Sequence, residues 1–148
     1  MTKMKLKAVL LIVCLAILTC NLAHSQETKK ETATANIFFS QDKLVIGKDF
    51  KIAVEVNISP DIHIGANTED ALYPAKLTFS HPDYIEIKEI KYPKEKRITL
   101  SFSPNEEIPV YEGTIYIFAY GKVKESVRSD TKAEIKAILD IQGCTDTQ

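Results

Sequence analysis

From Asn36 onward, apolar and polar positions alternate along most of this chain. Phe50, Ile52, Val54, Val56 and Ile58 interleave with Lys51, Ala53, Glu55 and Asn57. A period of two puts one set on a buried face and the other in water, the signature of a half-buried strand. Ser59-Pro60-Asp61 ends that strand with turn residues. Shorter runs repeat the theme. Ile37-Phe38-Phe39 reads as a short strand, and Ile62-His63-Ile64 as a brief extended piece between turns. Ala75 to Phe79 reads as a strand led in by Pro74, and Tyr84 to Ile90 as a further one. Arg97 to Phe102 looks extended, Ser103 to Glu107 reads as a loop, and Val110 to Tyr120 is a long run of β-branched and aromatic residues. A last strand is expected from about Ala133 to Ile141. No stretch after the leader shows a 3.6-residue period. Seven to eight short strands punctuated by turn signals predict an all-β fold, an immunoglobulin-like sandwich.

The first 25 residues break this pattern. Lys3, Lys5 and Lys7 precede the unbroken apolar run from Ala8 to Leu18, and Ala23-His24-Ser25 offers small residues where a signal peptidase reads. The run is short for a membrane-spanning helix, which needs about 20 apolar residues. We read residues 1–25 as a cleaved export signal. An uncleaved anchor is the alternative, and a lipoprotein attached through Cys20 is the weaker one, because Thr19 stands where a smaller residue is expected. Gln26 to Ala35 is rich in Glu, Thr and Lys and reads as a flexible lead-in. The domain proper is then expected over 36–148.

Cleavage changes the charge and cysteine counts. The leader carries three Lys, no acid, and two of the three cysteines, Cys14 and Cys20. The remaining 123 residues hold 16 basic and 20 acidic side chains, a formal charge of −4, and a single cysteine, Cys144. No basic patch stands out, which argues against nucleic acid as a partner. One cysteine in an exported chain points to an intermolecular disulfide or a reactive thiol.

Candidate chemistry therefore concentrates at Cys144. It follows the β-type run Glu134 to Ile141, with Gly143 expected to turn the chain and Thr145 and Asp146 polar beyond it. That context predicts a sulfur at the rim of a sheet rather than in the core. No flanking Lys or Arg favours the thiolate, and Asp146 opposes it, so the thiol is expected to exchange only with an oriented partner. His63 and His81 lie in separate segments with no Cys or carboxylate at metal-ligand spacing, which gives no zinc motif. His81 before Pro82 reads as a turn residue, and His63 between two isoleucines as a packed or rim histidine. No phosphate loop, HExxH motif or nucleophile elbow is present.

Four stretches, in this order, resemble the N-terminal periplasmic domain of the thiol:disulfide interchange protein DsbD, the disulfide bond corrector domain. They are Ser59-Pro60-Asp61-Ile62-His63-Ile64, Tyr73-Pro74-Ala75-Lys76-Leu77, Val110-Tyr111-Glu112-Gly113, and Ile141-Gln142-Gly143-Cys144-Thr145 with the residues that follow. The resemblance runs from about Ile37 to Gln148. It implies an immunoglobulin-like domain in the periplasm. Such a domain takes reducing equivalents from a membrane-embedded donor and passes them to thioredoxin-fold partners, including disulfide isomerases and proteins of cytochrome c maturation. It implies no metal and no organic cofactor. It also implies a loop with an aromatic cap over the cysteines, which by position falls in Thr99 to Glu107 with Phe102 as the cap, and it makes Tyr111 and His63 neighbours of the site.

The chain departs from that pattern in two respects, since neither the family's membrane-spanning and thioredoxin-like domains nor its second cysteine is read in this sequence. The family's second cysteine would follow Cys144 after a short polar spacer, beyond Gln148, so the domain reads as truncated at its active-site turn. With Cys144 alone the expected chemistry is a mixed disulfide with a partner, or a disulfide-linked dimer. Whether the chain is an enzyme, a protein-disulfide reductase module, depends on that second cysteine. The rival expectation is a non-catalytic exported sandwich that binds another envelope protein.

Overall fold

The computed structural model describes residues 31–101, 103–128 and 130–145. The expected leader, Cys20, Phe102 and Asp146 fall outside them. Among the described residues no helix is long and apolar enough to cross a membrane.

The class is all-β, as the alternation predicts. Among the described residues ten strands run in chain order: β1 (Ala33–Phe39), β2 (Asp49–Ile58), β3 (His63–Gly65), β4 (Lys76–Ser80), β5 (Ile85–Lys91), β6 (Lys96–Leu100), β7 (Ser103–Tyr111), β8 (Thr114–Val123), β9 (Lys136–Asp140) and β10 (Gly143–Cys144). Every pairing is antiparallel. One sheet has the order β1-β2-β8-β5, a second β10-β3-β7-β6, and β4 and β9 form a third.

β2 is the spine of the core. Its five alternate apolar residues are buried, with Ile52 and Val56 fully so. They pack with Ile117 and Ala119 of β8 and Ile85 of β5 from the first sheet. Opposite lie Ile62, Ile64 and Tyr111 from the second sheet and Leu77 from the third, closing one apolar cluster. The second and third sheets together thus cover the inner face of the first, giving a sandwich. A smaller cluster of Leu100, Ile108 and Val110, with Ile98 against it, sits apart on the β6–β7 hairpin.

Four expectations need correction. β1 begins at Ala33, three residues inside the expected lead-in, because Ala33, Thr34 and Ala35 pair with Ile58, Asn57 and Val56. Ser103 to Glu107 is not a loop but the first half of β7. Its side chains from Pro104 to Glu107 are exposed, and the ladder to β6 rather than burial holds it extended. The run from Val110 to Tyr120 is not one strand. It breaks at Glu112-Gly113, where Gly113 takes a φ of 64° and the chain crosses from the second sheet to the first. The last expected strand is shorter, β9 spanning Lys136–Asp140, and Gly143 belongs to the separate strand β10.

Candidate functional site

β10 is a two-residue strand, and its position depends on a missing side chain. A Cβ on Gly143 would lie 2.6 Å from Thr32 Cγ2 and 3.0 Å from Ile62 Cγ2. Gly143 is therefore needed for close approach to the inner layer, not for a turn. With it in place, Gly143 pairs with Ile64 and Cys144 with His63. β10 is the edge of its sheet. Cys144 is half-buried there and carries a thiol, whose Sγ–H donates to the His63 carbonyl oxygen at 3.4 Å. The sulfur sits at a sheet rim, as the polar context of its segment predicts.

The same row of the sheet continues across two more strands. Ile64 pairs with Tyr111, so His63 stands against Glu112 on the outer face. His63 Nδ1 lies 3.4 Å from Glu112 Oε2, with side-chain exposures of 14% and 33%. The other Glu112 oxygen accepts a hydrogen bond from Lys96 Nζ of β6. That ammonium, through its hydrogen bond, is the main reason the Glu112 carboxyl is held below its ordinary value. Burial pushes the other way, and His63 adds to the lowering. The row from the edge inward thus reads thiol, imidazole, carboxylate, ammonium.

A loop crosses the outer face beside this row. A Cβ on Gly65 would lie 2.1 Å from the Tyr73 carbonyl oxygen, so the loop backbone occupies the space where a side chain would stand. Ala66 N–H donates to Pro109 O and Ala75 N–H to Gly65 O, both at 3.1 Å. Asn67 Nδ2 donates to Ala75 O at 2.7 Å, and Arg97 holds Asp70 at 2.8 Å. The loop carries Leu72, 71% exposed, and Tyr73, whose hydroxyl donates to Asp140 Oδ1 at 3.0 Å. Leu72, Tyr73, Ile108, Val110 and Gln142 line, with Cys144, a hollow of about 140 Å³. A larger cavity of about 640 Å³ opens at the end of the sandwich beside His63, Lys96 and Glu112, with Asp61 and Thr145 on its wall.

Of the residues expected at the site, His63 is opposite Cys144. Tyr111 is buried on the inner face, away from the sulfur. Its hydroxyl donates to Pro93 O at 3.1 Å and accepts from Asn67 N–H at 3.2 Å, so it braces the start of the loop from beneath. Burial raises its pKa above the ordinary tyrosine value. Phe102 lies outside the described residues; among those described, Leu72 and Tyr73 share the hollow with Cys144. Lys96 and Glu112, the latter inside the quoted Val110–Gly113 stretch but not singled out there, join the site because strand register brings them to His63. Among the described residues no group of three or more His, Cys, Asp or Glu is arranged to hold a metal ion.

No family model, no curated protein and no solved structure matches this chain.

Proposed function

We propose that this protein is a thiol–disulfide exchange module of the cell envelope, working between molecules through Cys144. The observation that carries the reading is a half-buried thiol on an edge strand, beside a hollow with apolar and aromatic lining. An edge strand leaves one side of the backbone open to a partner. A hollow lined by Leu72 and Tyr73 suits the apolar surface around the disulfide of a thioredoxin-fold protein. In the step itself the Cys144 thiolate attacks one sulfur of the partner's disulfide. The new S–S bond forms as the old one breaks, and the second partner sulfur leaves as thiolate. The export signal and the resemblance to the DsbD N-terminal domain support a periplasmic setting, with a membrane-embedded donor and thioredoxin-fold acceptors as partners. A disulfide-linked dimer through Cys144 forms where a second copy's Cys144 thiolate attacks the mixed disulfide, joining the two Cys144 sulfurs and releasing the partner's sulfur as thiolate.

The test loads Cys144 with thionitrobenzoate and follows its release. A dithiol protein of thioredoxin fold is expected to release it about 100-fold faster than glutathione at equal thiolate concentration, through oriented docking. Equal rates would mean an ordinary surface thiol and would end this reading.

A second reading, the non-catalytic binding module, is favoured by one observation. The outer face of the β1-β2-β8-β5 sheet exposes Phe38 at 51% and Tyr116 at 45%, beside Phe118 with Lys51 Nζ 3.8 Å from its ring centroid. On that reading Tyr116→Ala weakens partner binding and Cys144→Ser leaves it intact.

A further inference from the structure

Cys144 of β10, His63 of β3 and Glu112, the residue that follows β7, form a row of nucleophile, imidazole and carboxylate. We propose that His63, held by Glu112, takes up the Cys144 proton, so that the sulfur reacts as an imidazolium-paired thiolate. This inference rests on the reading that Cys144 carries the chemistry, and assigns to His63 a positioning and charge-setting role within it.

The argument starts from register. Cys144 and His63 are directly opposite residues of an antiparallel pair. Such pairs leave the sheet on the same face with Cβ atoms about 4.5–5.5 Å apart, within reach of a thiol and an imidazole. In the resting state the thiol donates to the His63 carbonyl oxygen. Rotation about the cysteine Cα–Cβ bond turns it toward the ring of the same residue. On the far side, Nδ1 faces the Glu112 carboxylate at 3.4 Å. A carboxylate facing one ring nitrogen favours the tautomer that carries its proton there, which leaves Nε2 as the nitrogen to exchange a proton with the sulfur. A nucleophile, a base and a group that orients the base are the parts by which an activated thiol is recognised.

The charges around the ring agree. Glu112 faces it from just beyond β7, Lys96 of β6 reaches it only through Glu112, and Asp61 lines the same cavity from the β2–β3 connection. An imidazolium formed beside Cys144 stabilises the thiolate through its opposite charge. In the reaction the proton passes from sulfur to Nε2, the thiolate attacks the partner disulfide, and the departing partner thiolate recovers the proton from the imidazolium.

Iodoacetamide alkylation of Cys144 in the whole protein, followed by mass across pH 5 to 10, tests this. The wild-type rate is expected to rise with a midpoint about one unit or more below the ~8.5 of a free cysteine. His63→Gln returns the midpoint to about 8.5 and lowers the rate at pH 7 about three- to tenfold. Glu112→Gln, which keeps the ring but removes its charge partner, gives a midpoint between the two. A wild-type midpoint at or above 8.5, or three superimposable profiles, overturns the proposal. Circular dichroism reports whether His63→Gln folds. If it does not, Glu112→Gln decides, and an unchanged profile in that variant is the overturning result. Exchange itself is scored separately, by thionitrobenzoate release from the wild-type protein at pH 9, where the thiolate forms without help. Slow release there defeats the exchange reading, whereas fast release with an ordinary alkylation profile defeats only the role of His63.

Discussion

At Gly65 the absence of a side chain decides where the loop beside Cys144 lies. The Tyr73 carbonyl occupies the Cβ position at 2.1 Å, and backbone cannot yield as a flexible side chain does. Gly65→Ala is therefore expected to lift the loop from the sheet and destabilise the fold by about 1–3 kcal/mol. The sharper readout is local: alkylation of Cys144 at fixed pH should accelerate, because Leu72 and Tyr73 no longer flank the sulfur. An unchanged alkylation rate with a lowered Tm would mean that the loop does not govern access. Tyr111 acts on the same loop from the other face. Tyr111→Phe strips one hydrogen bond from Asn67 N–H and one from Pro93 O, with an expected cost of about 1–3 kcal/mol by urea titration. Little change would show that water replaces the hydroxyl.

At the scale of the strand, burial and legibility go together. β2 was readable residue by residue because each apolar position meets the core and each polar one meets water. Ile52→Ala or Ile117→Ala should each cost about 2–5 kcal/mol, since both are fully enclosed. Ile138→Ala on β9, half exposed, should stay within about 0.5 kcal/mol. Chemical denaturation of the three variants distinguishes these ranks, and similar losses at all three would contradict the assignment of the core. The first half of β7 was illegible for the complementary reason. Pro104, Asn105, Glu106 and Glu107 are exposed and carry turn-like composition, so nothing in their side chains reports that β6 holds them extended. β10 was missed likewise. A two-residue strand has no period to read, and its glycine serves close packing where composition suggests a turn. Cys144 and His63 could be picked out singly as residue types. That they face each other, with Glu112 next in the row, depends on register between strands distant in sequence, which composition does not encode.

For the molecule as a whole, the surface charges fix how it responds to acid. Asp49 beside Lys88, Glu55 beneath Tyr116, Asp70 beside Arg97 and Glu112 beside Lys96 are all held below their ordinary carboxylate values by those hydrogen-bond partners. A lowered folded-state pKa means stability that is present above the unfolded value, about 4, and is lost as pH falls through the lower folded value. These four groups therefore leave Tm unchanged above about pH 5 and lower it below about 4. Asp49 and Asp70 are exposed and Glu55 and Glu112 partly so, and solvent screening keeps each contribution small. Glu112→Gln should flatten the decline slightly, as followed by thermal melts across pH, and a steeper decline in that variant would reverse the sign argued here.

The pairing of Cys144 with His63 spans 81 positions, and Gly143 reaches back further still, to Thr32. As the chain folds, the nine-residue β2–β8 ladder can close before β10 docks, because β10 pairs through only two residues. The thiol therefore reaches its histidine only after the sandwich has a shape. A chain at that stage has a core but no set sulfur, which delays disulfide chemistry until there is a folded surface to direct it.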